Sequence, residues 1–550
     1  MTRQLDQRLI AHVLDDAVKQ EPDRVWASYA ISTDIARDGF RDVTIGQLAR
    51  AVDRLAWRID AAIGKSTTFE TVLYYGLPDV RYAVFLMAAV KTGHKVLFCS
   101  HFNSLAFNLS LCKRTDCGAV LRSEGVDGPV DALLRARPMK EALVPTLDDL
   151  FDDNTVEPPR PYPYNRSYAE GMDDPVVVGH TSGTTGLPKP VVWTQRSFAV
   201  VGVWQSVPDL DGRPSAEKLL LESRRCYQTM PIYHPFGLLT SIIHPLHRGG
   251  TLVLGPNSLG PITPPTLEQM FEHADFDSLA GVPVYLEMIA RSPSMLNVVG
   301  EKLRFIYFAG GALSPSTGNA LSARVRLHSL YGSTEAGAAF GHLVDRDDWE
   351  WLCLNDDESG LSWEPYAVEG VEGVHELTFV RTPRSETFQH VFWHTDCGDA
   401  FRTNDLFVKH PTKRHHWRFY ARKDDMVVTK FGWNVNPIIV ERTVAQHPAV
   451  RHVVVGGTGR RNICAVVDLV DRDDDDAAAP ADAVLESIWP SVEKSNAFMD
   501  KTGQLARERI LFSDKDRPFP LAGKGNVQRA AVLRLYEREI DDMYARVGDD

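Results

Sequence analysis

Cysteine is scarce. The 550 residues carry 7, and Cys99, Cys112, Cys117, Cys226, Cys353, Cys397 and Cys464 are scattered, odd in number and without C-x-x-C spacing. That pattern excludes a disulfide-stapled secreted scaffold and fits a reducing compartment. Long hydrophobic runs are also missing. The longest fully apolar run, YAVFLMAAV at 82–90, is far short of the roughly 20 residues a membrane helix needs. The N-terminal MTRQLDQRLIAHVLDDAV is polar and amphipathic, without the apolar region of a signal peptide. Basic residues are in deficit: 60 Lys and Arg against 73 Asp and Glu leave a net charge of -13, opposite in sign to a surface that wraps a nucleic acid backbone. The expectation is a cytoplasmic protein with no membrane and no nucleic-acid partner, in which the sequon Asn165-Arg166-Ser167 is only a turn.

What is present is ordinary globular composition, 44% hydrophobic and 24% charged, over a length that exceeds one core and predicts two to four domains or subdomains. Residues 43–60 place Ile45, Leu48, Val52, Leu55 and Ile59 on one face of an amphipathic helix. Residues 82–100 read as a buried helix, a stop at Gly93 and a short strand, and 242–254 repeat that rhythm, which is the pattern of an α/β domain. Residues 153–163, with four prolines, predict a linker or surface excursion. Strands at 175–178, 303–308 and 327–331 each run into small residues, which predicts one crevice at the carboxyl ends of a sheet. After about residue 420 the texture changes to that of a small α+β domain, interrupted by the acidic loop DRDDDDAAAPADA at 471–483.

TSGTTGLPKP at 181–190 carries the first chemical signal. Backbone amides of a tight glycine turn converge on anions. Thr181, Ser182, Thr184 and Thr185 add hydroxyl donors around Gly183 and Gly186, and Lys189 adds a mobile positive charge. Pro190 after the lysine departs from G-x-x-x-x-G-K-[ST] and disfavours a P-loop NTPase. The H-R-D and D-F-G signatures of kinases are missing. His234, His244 and His247 lack the spacing and supporting cysteines of a zinc site.

The segment HTSGTTGLPKPVVWTQ resembles the phosphate loop of the adenylate-forming superfamily of acyl-CoA synthetases, luciferases and peptide-synthetase adenylation domains. YHPFG at 233–237, YFAGGALS at 307–314, YGSTEAG at 331–337, FRTNDLF at 401–407, ARKDD at 421–425 and GKGNVQR at 523–529 follow in that family's order, so the resemblance spans the whole chain. It implies an α/β fold: a large N-terminal domain of stacked sheets flanked by helices, with a β-barrel-like subdomain, over 1–423, and a small mobile α+β lid over 424–550. It implies ATP and Mg2+ as cofactors.

By the same resemblance, Ser182 to Gly186 with Thr181 and Lys189 bind phosphate, and Glu335 is the Mg2+ carboxylate. Thr334 donates to the α-phosphate. Tyr331 stacks on adenine beside the Gly310-Gly311-Ala312 backbone. Asp405 takes the ribose hydroxyls and Arg422 contacts ribose or phosphate. Lys524 is the catalytic lysine that bridges carboxylate and ribose or phosphate oxygens. Asp424 is the hinge. Lys430 belongs to the loop that faces the site after the lid rotates for a thiol step. His234 shapes the acyl pocket and gates the thiol, and His234, Phe236, Gly237, Tyr285, Gly310 and Gly332 line that pocket. Asn404 stands where the family usually has glycine, and asparagine tolerates the left-handed backbone that glycine supplies.

Amino-acid-activating relatives place an aspartate just after the phenylalanine of the 234–237 segment. Here Gly237-Leu238 follows Phe236 and no carboxylate is present. A buried ammonium would go unpaired, so an aryl acid or aryl α-keto acid is expected, with Trp193, Phe236 and Tyr285 as walls. GFRDVT at 39–44, the phosphate-loop segment and KGNVQR look most like the adenylation domain of fungal carboxylic acid reductases of the peptide-synthetase-like type. There the acyl group passes to the phosphopantetheine thiol of a carrier domain, and an NADPH-dependent reductase domain, absent here, releases an aldehyde. The chain reads as an adenylation domain excised from such a protein. An arylpyruvate-activating domain of a quinone or furanone synthetase with a thioesterase, and a free-standing aryl-CoA ligase, stay open as alternatives. A nucleotide-binding scaffold without turnover is disfavoured by the retained Lys189, Glu335, Asp405, Arg422 and Lys524.

Overall fold

The fold is that of a computed structural model, which describes residues 7–101, 103–152, 159–181, 188–368, 371–430, 434–470, 481–497, 503–521 and 527–548. Helices and strands alternate through the first 330 residues and build two sheets. One has six strands in the order Lys140–Leu143, Cys117–Arg122, Thr71–Tyr75, Lys95–Phe98, Pro175–Thr181 and Lys189–Thr194. All its pairs are parallel except the last, a hairpin. The other has seven, in the order Arg326–Ser329, Phe305–Phe308, Ser278–Gly281, Arg225–Gln228, Thr251–Leu254, Val25–Ala30 and Phe40–Thr44. Only its final pair is antiparallel. Parallel strands need crossovers, and helices supply them on both faces.

The helix Ile45–Ile63 shows how local sequence fixes an element. Thr44 and Gln47 form a capping box at its start and Gly64 ends it. Ile45, Leu48, Val52, Leu55 and Ile59 are all fully buried, the face that the spacing predicts. Likewise Arg81–Lys91 is a buried helix, Gly93 turns at φ 79°, and Lys95–Phe98 is the strand that follows.

Residues 341–422 curl into a six-stranded antiparallel sheet, in the order Gly341–His342, Leu352–Leu354, His416–Arg422, Ala400–Lys409, Val374–Val380 and Leu361–Pro365. A short 3-10 turn, Lys423–Asp425, leads out of it. Beyond lies a smaller unit with a three-stranded sheet, Val450–Gly456, Cys464–Leu469 and Ile510–Phe512, and, among its described residues, the helices Pro437–Val444, Ala481–Asn496, Arg529–Leu535 and Glu537–Val547. Two apolar clusters, one around Val440, Val455 and Ile488 and one around Val466, Tyr536 and Tyr544, are drawn from this unit alone. The chain is thus a large α/β domain with a curled sheet, followed by a smaller C-terminal α+β subdomain.

Two expectations meet the structure differently. The acidic loop falls largely outside the described residues. Over its described part the proline-rich stretch is a surface excursion and not a free linker: residues 160, 161 and 163 are exposed. Tyr162 is buried, its amide donates to Asp53 Oδ1 at 3.1 Å, and its hydroxyl donates to Asp60 Oδ2 at 2.9 Å. These bonds strap residues 160–163 to the helix Ile45–Ile63. Among the described residues, no helix is long and apolar enough to cross a membrane.

Candidate active site

The hairpin Pro175–Thr181 and Lys189–Thr194 pairs Thr181 directly opposite Lys189. The two ends of the glycine loop are therefore pinned by a ladder. Ser182, Gly183, Thr184, Thr185 and Gly186 lie outside the described residues. From the last turn of the ladder, Thr181 Oγ1 donates to Glu335 Oε1 at 2.9 Å, so the phosphate hairpin and the candidate metal carboxylate are in contact across 154 residues of sequence.

Thr334 and Glu335 sit in the turn between the short strands Tyr331–Ser333 and Gly337–Ala339. Gly332 lets these strands close, since a Cβ there would meet the Gly337 carbonyl oxygen at 2.8 Å. Side chains from elsewhere hold the turn. Trp193 Nε1 donates to the Thr334 carbonyl at 2.9 Å, and His394 Nε2 and Thr395 Oγ1 donate to the Glu335 carbonyl at 2.8 and 3.0 Å. Burial pushes the His394 imidazole down to about 4, so the ring is neutral and Nε2, which faces a carbonyl, carries the proton.

The donor set fits Mg-ATP. Glu335 makes no ion pair among the described residues, which leaves a hard oxygen ligand beside the phosphate hairpin. Thr334 Oγ1 is buried without a hydrogen-bond partner, an arrangement that a phosphate oxygen would complete.

Asp405 and Arg422 face each other across neighbouring strands of the curled sheet, with Arg422 Nε 3.2 Å from Asp405 Oδ1. Tyr331 Oη donates to Asp405 Oδ2 at 2.6 Å. Burial raises the Asp405 carboxyl above its ordinary value, only partly offset by Tyr331 and Arg422, and the nearby Glu335 charge adds to the rise. The same Glu335 charge acts on Arg422. Lys189, Glu335, Asp405 and Arg422 therefore converge on one region, linked by Thr181 and Tyr331. The sequence reading gave Tyr331 only a face for adenine; the structure gives its hydroxyl to Asp405 and sets its ring edge-on to Phe407 at 5.1 Å. Asn404 adopts φ 58°, the left-handed backbone that its replacement of glycine predicts.

Among the residues expected to line an acyl pocket, Phe236 stacks on Tyr307 with centroids 6.2 Å apart, and Tyr307 stacks on His328 at 5.1 Å. Burial pushes His328 down to about 3, so this column of rings carries no charge. Gly237 is buried, and a Cβ there would overlap the Pro231 carbonyl oxygen. His234 is partly exposed, with its Nδ1 3.4 Å from the Phe236 amide. Gly310, at φ 89°, and Gly311 are exposed just past the strand Phe305–Phe308, with Ala312 beside them.

Two of the expected walls have other contacts. Tyr285 packs against the apolar cluster of Ile306 and Phe308, on the sheet face opposite Tyr307 and Phe236, and its hydroxyl accepts from the Ile262 amide at 3.3 Å. Trp193 is 1% exposed and spent on Thr334 and on stacking with His394. Sequence reasoning missed Gln228. Its amide nitrogen donates to the Gly237 carbonyl at 3.2 Å and to Ser241 Oγ at 3.1 Å, bracing the π-helix Leu239–Ile243 that follows Phe236.

In the smaller unit, Asp424 is exposed in the connecting 3-10 turn, and Lys430 is exposed with its amide bonded to the Arg460 carbonyl at 2.7 Å. Neither touches the Glu335 or Asp405 side chain among the described contacts. Lys524 lies outside the described residues. Just after its segment, Arg529 Nη2 pairs with Glu441 Oε2 at 2.8 Å and Arg529 Nε stands 3.9 Å from Asp425.

Comparisons with known proteins bear on the family. Residues 14–355 match the family described as AMP-binding enzyme, and residues 424–548 match the AMP-binding enzyme C-terminal domain. A carboxylic acid reductase of Neurospora crassa is 30% identical over 98% of this chain and 50% of its own length. An isocyanide synthase-NRPS hybrid of Aspergillus fumigatus is 29% identical over 99% of this chain and 34% of its own. The chain thus spans half or less of the length of these curated relatives. Among solved structures, the A domain of a carboxylic acid reductase from Segniliparus rugosus, in complex with AMP and a co-purified carboxylic acid, superposes with a TM-score of 0.70 at 17% identity, covering 98% of this chain and 94% of that one. The family matches cover most of the chain, and the chain is an adenylation enzyme of the AMP-binding, adenylate-forming family.

Proposed function

We propose that the chain activates an aromatic carboxylic acid with ATP to an acyl-AMP, releasing pyrophosphate, and then passes the acyl group to the phosphopantetheine thiol of a carrier domain, as the adenylation domain of a longer carboxylic acid reductase. The observation that carries this reading is the convergence of Thr181, Glu335, Tyr331, Asp405 and Arg422, with an uncharged ring column on the acyl side. Both reactants are anionic, so the site must screen charge and align the groups. Mg2+ held by Glu335 would neutralise phosphate charge. Thr334 Oγ1 would donate to the α-phosphate, Asp405 would accept from the ribose hydroxyls, and Lys189 would contact the outer phosphates. Tyr331 and the Gly310–Ala312 backbone would flank the adenine. We place the boundary between the lobes at 423/424, with Asp424 as the hinge that brings Lys524 in for adenylation and Lys430 for the thiol step. NADPH would serve only a reductase domain outside this chain.

The aromatic preference rests on Phe236, Tyr307 and the missing carboxylate at Gly237-Leu238. A bound α-ammonium would find no counter-charge there. The Neurospora crassa relative, aligned over nearly all of this chain and half of its own length, supports the reductase setting.

Pyrophosphate release from a panel of aryl, arylpyruvic, fatty and amino acids tests the substrate. Benzoic-type acids should outrun phenylalanine by at least about tenfold, the worth of an unpaired buried charge; the reverse order defeats the reading. Lys524→Ala should lower adenylate formation about hundredfold or more and spare thiol transfer from supplied acyl-AMP. Equal loss in both halves removes that role. Comparing CoA with a phosphopantetheinylated carrier protein as acceptor separates a carrier-linked domain from an aryl-CoA ligase.

A further inference from the structure

The peptide that carries Glu335 is held in an unusual way. Residues 334–336 form a hairpin turn, so neither the Thr334 nor the Glu335 carbonyl lies in a helix or a strand ladder. Three side chains from distant segments take these two oxygens. Trp193 holds the first at 2.9 Å, and His394 and Thr395 share the second at 2.8 and 3.0 Å.

His394 is itself fixed from the phosphate hairpin and the helix after it. Trp193 lies nearly parallel over its ring, 5.1 Å away at 15°. Ser197 Oγ donates to its Nδ1 at 3.0 Å, and Thr194 Oγ1 donates to the carbonyl of the preceding Trp393 at 2.9 Å. Trp193, Thr194 and Ser197 thus grip the 393–395 segment, which in turn grips the turn that carries Glu335. The carboxylate of Glu335 closes the circuit, since its Oε1 accepts from Thr181 on the partner strand of Trp193's own hairpin.

We propose that His394 is a positioning residue for the metal carboxylate: by holding the Glu335 carbonyl it fixes the peptide whose side chain must stand over the phosphate hairpin. Thr395 is the second donor of the same clamp. The inference rests on Glu335 being the Mg2+ ligand, and goes beyond it by assigning the residues that aim it. A ligand-bearing side chain is only as well placed as the groups behind it. With the His394 donor gone, the Glu335 carbonyl keeps one side-chain donor and the turn can rotate.

The test titrates Mn2+ by electron paramagnetic resonance into the full chain saturated with α,β-methylene-ATP. Affinity for the analogue without metal and the thermal midpoint are measured in parallel. His394→Leu should weaken Mn2+ about tenfold, the scale of one buried hydrogen bond, with metal-free nucleotide affinity within about twofold. His394→Gln, which keeps an N–H donor, should recover most of the loss. Thr395→Val, nearly isosteric, should weaken Mn2+ about threefold and decides the matter if His394→Leu does not fold. Unchanged Mn2+ affinity in Thr395→Val and in any folded His394→Leu, or metal and nucleotide weakening in parallel, overturns the proposal. Glu335→Gln is the control for the underlying assignment: if it leaves Mn2+ affinity intact, the carboxylate is not the ligand and the clamp has nothing to aim.

Discussion

Burial works against the charge that Asp405 has to carry. Its folded-state pKa lies above the ordinary 3.8, chiefly through desolvation. The contribution of this group to stability is therefore complete below the unfolded value and is lost as pH rises through the folded one. Ionised Asp405 is therefore a load on the fold, and the proposed role as acceptor for the ribose hydroxyls gives that load a use. Asp405→Asn should raise the thermal midpoint at pH 8 while lowering ATP use; a fall in the midpoint would mean that the Arg422 and Tyr331 contacts outweigh desolvation. In the wild-type chain, kcat/KM for ATP should decline on acidification with a midpoint above 3.8. Tyr331→Phe removes a donor to the ionised form, so the pH profile should show that midpoint moving higher and kcat/KM at pH 8 falling about tenfold. Glu335 and Asp405 could be singled out in the sequence because each stands in a short charged motif, and the structure brings them near one another through Tyr331 and the Tyr331–Ser333 hairpin. Trp193 could not be placed, because a tryptophan that walls a pocket and one that braces a turn look alike until the fold says what lies beside them.

Two elements owe their shape to single backbone positions. The helix after His234 widens into a π turn over Leu239–Ile243, braced by Gln228, and Gly237 packs its Cα against the Pro231 carbonyl. Gly237→Ala forces the two backbones apart. It should lower stability by about 2–4 kcal/mol, seen as a fall in the unfolding midpoint of the large domain, and raise KM for the acid more than KM for ATP. At Asn404, φ 58° sets the turn of strand before Asp405. Asn404→Gly should be nearly neutral in thermal denaturation and Asn404→Ala should cost about 1 kcal/mol. Regular elements were readable from spacing, as the buried face of Ile45–Ile63 shows. The π turn was not, because it depends on a glutamine from another strand and leaves no periodic trace.

Across the whole molecule, the α/β order, the curled sheet before residue 423 and the separate core beyond it follow from a sequence rhythm and a run of motifs in fixed order. At 160–163 the sequence left linker and surface excursion open; the structure shows the excursion, and proline density could not reveal that Tyr162 reaches Asp53 and Asp60. Beyond the 3-10 turn Lys423–Asp425, Arg529 ties the segment after Lys524 to Glu441, with Asp425 close by. Arg529→Ala should impair adenylate formation several-fold with little change in thiol transfer, checked by separate single-turnover measurements; equal effects on both would make Arg529 merely structural. The strands Val25–Ala30 and Phe40–Thr44 complete the edge of a sheet whose other members begin at Arg225. On the ribosome these early strands emerge some 200 residues before Thr251–Leu254, and at about 5–20 residues per second they wait on the order of ten seconds or more for a partner. A nascent chain in that interval exposes an unpaired strand edge, so its yield in a heterologous host should respond to chaperone supply and to translation rate between residues 45 and 251.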